Sequence, residues 1–164
     1  MTKKIILALF LGLFIGPVHA KPKEKPRTYH VCTAADSPEN ILACAMYFEA
    51  RSEGEKGMNY VGNVILNRRN HDEYPSKIKK VVYQKHQFSY VRSRLKVQDK
   101  ISWDLAQKVS KKLLSVSDEK RRLTDPSKGA IMFSKAGKRT PWARKYQKTV
   151  SYGKHNFYRE RKKK

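Results

Sequence analysis

The feature that most constrains the fold is an apolar segment that begins at Ser37 and runs to a glycine. A serine followed by proline is typical of a helix start, because the hydroxyl caps free backbone amides and proline suits the first helical position. Apolar residues then recur at steps of three and four and also fill the adjacent strip: Ile41, Leu42, Cys44, Ala45, Met46 and Phe48. A helix that is apolar over most of its surface must be enclosed by the rest of the chain. The sequence therefore predicts a central helix that Gly54 ends.

One carboxylate, Glu49, falls on the apolar face of this predicted helix, in its C-terminal turn. Burial disfavours the ionised form of a carboxyl group and so raises its pKa. An acid that stays protonated near neutral pH can donate a proton to a leaving group. Glu49 is therefore the candidate catalytic residue.

A second carboxylate, Glu53, follows four positions later and would share a helix face with Glu49 if the helix extended that far. Two carboxylates held in different environments can divide the roles of acid and base in catalysis. Glu53 could be such a second group, a charge that raises the pKa of Glu49, or a structural group at the helix end, and we favour the structural role. His71, Asp72 and Glu73 lack the spacing of helical metal ligands, so we expect no metal and no cofactor.

The remaining pattern indicates an α+β fold that is mainly α, in one domain with a small β element. Apolar residues keep a helical spacing over residues 57–68, 76–83 and 101–116. Residues 130–133 and 150–158 are short and rich in β-branched and aromatic side chains, which predicts that they pair as a small sheet.

Residues 1–20 have the composition of a secretory signal peptide. Two lysines precede an uncharged apolar run over residues 5–16, and Val18 and Ala20 supply the small residues of a cleavage site. A membrane anchor is the alternative, although the run is short for a spanning helix and includes glycine. Cleavage would leave 144 of the 164 residues, enough for one domain, and would place the protein in the periplasm, the cell wall or the medium.

The formal net charge is +23, and it would be +21 without residues 1–20, which contain two lysines and no acidic residue. A dense positive field raises the local concentration of a protein at an anionic surface. An exported protein meets an anionic envelope before nucleic acid, so we expect no nucleic-acid partner. We expect a basic lead-in over residues 21–36, a catalytic domain over 37–158 and a basic tail over 159–164, in a monomer.

Cys32 and Cys44 are the two cysteines of the chain. In an oxidising compartment they could form a disulfide between the incoming segment and the first helix. Two buried thiols are the alternative, and export favours the disulfide.

Four blocks of this sequence occur in the order seen in a known family. They are Glu49–Gly54 with Gly57–Met58 and Val64–Arg68, then Val81–Gln84 with Gln87–Ser89, then Asp125–Ala130, and finally Gly153–Tyr158. Together they resemble the SleB-like cell wall hydrolases, named for the spore-cortex-lytic enzyme, over residues 40–158. Ser52 departs from the pattern, because glycine is usual at this position.

The resemblance implies a lysozyme-like fold and cleavage of the bond between N-acetylmuramic acid and N-acetylglucosamine in peptidoglycan. It places the catalytic acid at Glu49. A single acid suffices if the 6-hydroxyl of the sugar attacks its own anomeric carbon, as in lytic transglycosylases.

The loop with Gln87, Ser89 and Tyr90 resembles the transglycosylase loop that faces the acid, so these residues are candidates for substrate binding. A second set comes from the terminal block, where rings and amides suit sugar faces and N-acetyl groups: His155, Asn156 and Tyr158. For His155, a buried hydrogen-bonded histidine is an equal alternative.

Three classes of function compete on the sequence alone. The first is a peptidoglycan-cleaving enzyme, either a one-acid transglycosylase or a muramidase that uses Glu49 and Glu53. The second is a non-enzymatic cationic protein that binds the envelope. The third, a nucleic-acid-binding module, rests on charge alone. A carboxylate on an apolar helix face favours the enzyme, because a pure binder gains nothing from it.

Overall fold

The structure, a computed structural model, describes residues 27–85, 87–88, 91 and 95–161. The elements follow in the order β1 (His30–Val31), α1 (Pro38–Ala50), α2 (Gly54–Arg69), α3 (Ile78–Val82), β2 (Lys96–Val97), α4 (Lys100–Leu114), α5 (Asp118–Leu123), β3 (Met132–Lys135), β4 (Tyr146–Tyr152) and β5 (His155–Glu160). Short 3-10 turns cover Arg51–Glu53 and Pro141–Lys145. The fold is mainly helical with a small sheet, as the pattern predicts.

Helix α1 is the centre of the molecule, which confirms the prediction of an enclosed helix. Its start is set by Ser37, whose hydroxyl accepts the N–H of Asn40 at 3.2 Å, with Pro38 as the first helical residue. Seven consecutive residues, from Ile41 to Tyr47, are buried. Helices α2, α3 and α4 pack around it. Burial of this apolar surface is the main source of the stability of the helical part.

The end of α1 differs from the prediction. The helix stops at Ala50, a 3-10 turn covers Arg51–Glu53, and α2 begins at Gly54. Gly54 therefore starts the second helix instead of ending the first. The change of helix type matters because Glu53 no longer continues the face that carries Glu49.

Helix α4 packs on α1 with an amphipathic face. Trp103, Ala106 and Val109 are buried, whereas Ile101 is 83% exposed, so the buried stripe begins at Trp103, two residues later than the sequence suggests. The hydroxyl of Tyr47 on α1 accepts the backbone N–H groups of the two residues before α4, at 3.3 and 3.1 Å. This contact fixes the start of α4 to the centre of the fold.

The sheet has three antiparallel strands in the order β3-β5-β4. The prediction of one strand over residues 150–158 is wrong, because Gly153 and Lys154 turn the chain and divide the segment into β4 and β5. Gly153 has φ +52°, a left-handed conformation that glycine adopts without a Cβ penalty. Phe157 of β5 is fully buried and joins the sheet to α2 through Val64.

Two strands lie wholly or partly outside residues 37–158, the predicted catalytic domain. Strand β1 lies within the expected lead-in and pairs with β2, and β5 continues to Glu160 within the expected tail. Cys32, directly after β1, is joined to Cys44 of α1 in a disulfide with a Cα–Cα distance of 6.1 Å. The predicted signal peptide lies outside the described residues. Within the described part of the chain, no helix has the length and apolar character that crossing a membrane requires.

Candidate active site

The end of α1 and the sheet line an open cavity of about 340 Å³. Glu49 lies on one wall, in the last turn of α1, with the 3-10 turn that follows it. The opposite wall comes from β3 and from the turn between β4 and β5. The described residues that line the cavity are Glu49, Ser52, Glu53, Phe133, Ser134, Lys135, Lys154 and His155.

Glu49 is partly buried, and burial raises the pKa of its carboxyl group above the ordinary value. Its neighbours on α1, Met46 and Ala50, are fully buried. Glu49 thus combines a raised pKa with access to an open cavity. A carboxyl group of this kind can give a proton to a bound leaving group and later take one back.

Glu53 reaches across the molecule to the turn between β4 and β5. Its side chain is 5% exposed, and its Oε1 accepts the backbone N–H of Lys154 at 2.9 Å. Nδ1 of His155 lies 2.9 Å from the same Oε1, a distance typical of an ion pair, although the ring is not aligned for a hydrogen bond. The carboxylate is therefore held by the hairpin and does not stand free in the cavity.

Two glycines make room for this carboxylate. A Cβ atom added at Gly57 would lie 2.8 Å from Oε2 of Glu53 and still closer to its Cβ, and one added at Gly153 would lie 2.5 Å from its Cδ. Real Cβ atoms do not approach other atoms so closely. The glycines of the first and last sequence blocks therefore meet around one side chain, which ties the start of α2 to the hairpin.

The predicted sugar-binding residues of the last block are separated by strand alternation. His155 lines the cavity, is 8% exposed and packs the edge of its ring on Phe133, with centroids 5.3 Å apart. Asn156 accepts a hydrogen bond from the hydroxyl of Ser151, and Tyr158 packs on Trp142. Neither Asn156 nor Tyr158 is among the residues that line the cavity. Successive side chains of a strand point to opposite faces of the sheet, which explains why His155 lines the cavity and Asn156 does not.

The predicted loop candidates are only partly described. Gln87 is half-buried, its backbone N–H donates to the carbonyl of Gln84 at 3.1 Å, and it is not among the lining residues of the cavity. Ser89 and Tyr90 lie outside the described residues. Phe88 is buried and its ring lies 6.3 Å from that of Phe133, a residue that lines the cavity.

Several lining residues were not predicted from the sequence. Ser134 and Lys135 belong to a short strand without a motif, and Lys154 is one of many lysines in a basic chain. Ser52 lies at the cavity wall at the position where the resembled family usually has glycine. Only Lys154 had a signal in the sequence that could have indicated a place at the site, because it lies between Gly153 and the candidate residue His155.

Two groups of potential metal ligands occur within the part of the chain that the structure describes. One contains His30 and the two cysteines, whose sulfur atoms are bonded to each other. The other contains His71, Glu73 and Glu160 at the surface, where Nε2 of His71 lies 3.3 Å from a Glu160 carboxylate oxygen and Nδ1 accepts the N–H of Glu73. Both lie apart from the cavity at Glu49.

The fold and the cavity define a lysozyme-like α+β domain with a carboxyl group at the end of its central helix. The chain belongs to the cell wall hydrolase family, because the family model matches residues 52–158. The match includes Glu53 and the hairpin but begins three residues after Glu49. Membership supports a role in peptidoglycan degradation.

Two solved structures are similar in fold. The catalytic domain of the germination-specific lytic transglycosylase SleB from Bacillus anthracis superposes with a TM-score of 0.62 at 22% identity, covering 76% of this chain and 98% of that one. The catalytic domain of the Bacillus cereus SleB protein gives 0.57 at 22% identity, covering 75% and 91%. At this identity the likeness describes the fold alone. No curated protein sequence is similar enough to this chain to count as a match.

Proposed function

We propose that this protein is an exported lytic transglycosylase that cleaves the bond between N-acetylmuramic acid and N-acetylglucosamine in peptidoglycan. The observation that carries the proposal is the carboxyl group of Glu49, whose pKa is raised by burial and which faces an open cavity. The Bacillus anthracis neighbour is a germination-specific lytic transglycosylase, and this chain shares its fold.

The proposed reaction needs one acid used twice. Glu49 in its protonated form donates its proton to the glycosidic oxygen as the bond to the anomeric carbon breaks. Glu49 as carboxylate then accepts the proton of the 6-hydroxyl of the same muramic acid while that oxygen bonds to the anomeric carbon. The acid is regenerated, no water is consumed, and the product carries a 1,6-anhydro end.

The surroundings of Glu53 support the one-acid version. A nucleophile or a general base needs a free oxygen directed at the substrate. Oε1 of Glu53 accepts the N–H of Lys154, and Oε2 is buried between two glycines. Glu53 therefore acts in this proposal as the group that holds the hairpin wall in place.

A hydrolytic muramidase with two carboxylates is the second candidate, since Glu49 and Glu53 line the same cavity. In that enzyme water would attack and Glu53 would assist it, as in glycosidases with paired carboxylates. A non-enzymatic envelope binder is favoured only by the net charge of +23.

Peptidoglycan strands and the anionic envelope surface are the proposed partners, and the proposed form is a monomer. Export through a cleaved signal peptide at residues 1–20 would bring the protein to them. The disulfide between Cys32 and Cys44 supports an oxidising destination.

Mass spectrometry of the muropeptides released from purified peptidoglycan tests the proposal. A transglycosylase releases anhydro ends, each one water lighter than the product of hydrolysis. Reducing ends would instead indicate the muramidase, and an unchanged glycan would indicate the binder.

A further inference from the structure

Positive charge is concentrated in the part of the chain that forms the sheet. Residues 126–159 contain nine lysines and arginines and no aspartate or glutamate, whereas residues 37–125 contain 18 basic and 11 acidic residues. The shorter segment therefore carries a net charge of +9, against +7 on a segment more than twice as long. An anionic partner is attracted most strongly where such charge is densest, so the sheet region is the place to look for one.

Five of these charges occur within residues 138–148, in the connection from β3 to β4 and at the start of β4. They are the exposed side chains of Lys138, Arg139, Arg144, Lys145 and Lys148, and together with Trp142 we call them the basic surface. The ion pairs of lysine and arginine within the described residues involve other side chains, namely Arg69, Lys100, Lys108 and Arg121. No described acidic residue therefore neutralises the five charges.

The strand register places the basic surface on the outer face of the sheet. Lys148 stands opposite Tyr158 in the pairing of β4 with β5, so their side chains share a face. The ring of Tyr158 packs against Trp142, with centroids 5.3 Å apart, which brings the connection over the same face. Phe157 points to the other face and packs with Val64 of α2. The basic surface therefore faces away from the helices.

The cavity at Glu49 lies on the helix side of the sheet. Phe133 lines this cavity and stands opposite Phe157 in the pairing of β3 with β5, so it shares the face that packs on α2. His155, which also lines the cavity, lies two positions from Phe157 and shares this face as well. A partner bound at the basic surface therefore leaves the cavity free for glycan.

Protection of an edge strand explains only one of the five charges. Strand β4 is at an edge of the sheet, and a lysine on an exposed edge opposes pairing with the strand of another chain. Lys148 suits this role. The other four basic residues precede β4, which begins at Tyr146, so they do not lie on the edge and need another explanation.

Trp142 distinguishes a membrane from other anionic partners. Its side chain is half-buried and packs edge-on against Tyr146, with centroids 5.8 Å apart. Tryptophan and tyrosine are enriched at the boundary between bilayer and water, and clusters of lysine and arginine bind anionic lipid headgroups. A soluble phosphate polymer would need the charges but not the indole ring. The combination of the two favours a bilayer that contains anionic lipids.

We propose that the basic surface docks this protein onto a bilayer of anionic phospholipid, with the cavity at Glu49 on the opposite side of the sheet. Lipid phosphate groups contact the five basic side chains, and Trp142 lies at the level of the headgroups. The proposal rests on the proposed function of an exported enzyme, and it narrows the anionic envelope partner to one surface and one kind of lipid. Docking would concentrate the enzyme at the membrane beside the wall.

The test measures binding of the protein without residues 1–20, the form proposed after export, to sedimented vesicles. The vesicles contain phosphatidylcholine alone or an equal mixture of phosphatidylcholine and phosphatidylglycerol. The surface variant is Lys138→Gln/Arg139→Gln/Arg144→Gln/Lys145→Gln. The matched control is a variant that loses four exposed positive charges on and next to α4 and α5, Lys111→Gln/Lys112→Gln/Lys120→Gln/Arg122→Gln.

We expect the surface variant to bind the anionic vesicles about a hundredfold more weakly than the parent, because each cation close to an anionic bilayer raises the affinity several-fold. The control variant should lose less than about tenfold, since it lowers the net charge without changing the docking surface. Neutral vesicles should bind none of the three proteins. Equal weakening of both variants, or equal binding of the parent to neutral and anionic vesicles, would overturn the proposal.

A soluble phosphodiester polymer of glycerol separates a membrane from a wall polymer as the partner. At equal phosphate concentration it should compete weakly with the anionic vesicles, because it offers no interface for Trp142. If the polymer displaces the parent from the vesicles completely, and the surface variant also loses affinity for the polymer, the partner is a soluble polyanion and docking to a bilayer is wrong.

Trp142→Phe tests the aromatic contact. Trp103, the other tryptophan of the chain, is 6% exposed, so a fluorescence change on docking should come from Trp142. We expect the emission of the parent to shift to shorter wavelengths with anionic vesicles and that of Trp142→Phe to stay unchanged. A shift that persists in the variant would contradict the placement of Trp142 at the headgroups.

Cleavage of soluble glycan strands is measured separately, without vesicles. The surface variant should cleave them as the parent does, because none of its four changed residues lines the cavity. Loss of vesicle binding with normal cleavage is the expected result for this variant. A parent that docks but does not cleave would refute the proposed function alone, and a parent that cleaves but does not dock would refute the docking surface alone.

Discussion

The backbone N–H of Lys154 donates to Oε1 of Glu53 at 2.9 Å, although the two residues are 101 positions apart in the chain. This bond joins the segment after the central helix to the hairpin of the sheet. It therefore fixes the two walls of the cavity relative to each other. It acts together with the packing of Phe157 on Val64 of α2, which joins the same hairpin to the helices.

Glu49→Gln should abolish glycan cleavage while leaving the fold and glycan binding intact. Glutamine keeps the shape of the side chain but cannot deliver a proton, and loss of general acid catalysis lowers rates by roughly a hundred- to ten-thousand-fold. Turnover of purified peptidoglycan is the measurement, with Glu119→Gln at an exposed position of α5 as the control. Retention of more than about a tenth of the activity would remove Glu49 from the mechanism.

The pH dependence follows from the raised pKa of Glu49. The reaction needs the protonated acid, so activity should fall as pH rises through this raised pKa. Measurement of kcat/KM against pH checks the expectation. A profile that rises over the same range would show that Glu49 works only as a base.

The raised pKa of Glu49 also makes the stability of the fold depend on pH. A folded state that holds a proton more tightly than the unfolded chain loses stability as pH rises from the unfolded pKa to the raised folded pKa. Above that window the ionised, partly buried carboxylate remains unfavourable. Glu49→Gln should therefore melt at a higher temperature than the parent at neutral pH, and the difference should disappear in acid. Thermal unfolding at several pH values measures it.

Glu53→Gln should lower the melting temperature and reduce activity without eliminating it. The buried carboxylate accepts a backbone N–H and lies beside His155, and loss of its charge should destabilise the fold by about 1–3 kcal/mol. If instead the variant folds normally, is inactive, and the parent yields reducing ends, a two-carboxylate hydrolase replaces the one-acid mechanism.

Gly153→Ala should destabilise the protein more than Gly137→Ala. Both glycines have positive φ, but an added Cβ meets nothing within 4 Å at Gly137 and collides with the Glu53 carboxylate at Gly153. The extra loss should shrink in a Glu53→Ala background, where the collision is removed. A double-mutant cycle of unfolding free energies measures this coupling. Additive effects would show that Glu53 and the hairpin are energetically independent.

A protein that ends at Tyr158 should melt at a lower temperature than one that ends at Arg161. The shorter chain loses Arg159, which donates to Gln147 across the strands at 3.2 Å, and Glu160, which pairs with Tyr146 and lies 3.3 Å from His71. Thermal unfolding of the two proteins is the comparison. Equal midpoints would support the boundary at residue 158 that the sequence predicts.

Local signals in the sequence were sufficient for the central helix. The capping serine, the proline after it and the continuous apolar surface depend on neighbouring residues, so the start of α1 and its enclosure could be predicted. The placement of Glu49 on this helix followed from the same spacing. The raised pKa agrees with that placement because burial is its cause.

The turn between β4 and β5 was harder to predict from the sequence. The residues that flank the turn at Gly153 all favour strands, so the local pattern predicts one continuous strand there. Helix α5 has only six residues and little apolar periodicity, so the sequence does not predict it. The predicted end of α1 lies several residues beyond the observed one, since a change from α to 3-10 geometry leaves no compositional mark.

The sequence by itself determined the central helix, the mainly helical class and the candidate acid, since these depend on residues within a few turns of one another. Only the tertiary structure decided what faces that acid. Glu53, Ser134 and Lys154 meet at the cavity because the packing of the sheet against α2 brings distant segments together. Contacts between residues so far apart in the chain are absent from any local pattern, because a local pattern shows that a surface is apolar but not which other surface it packs against.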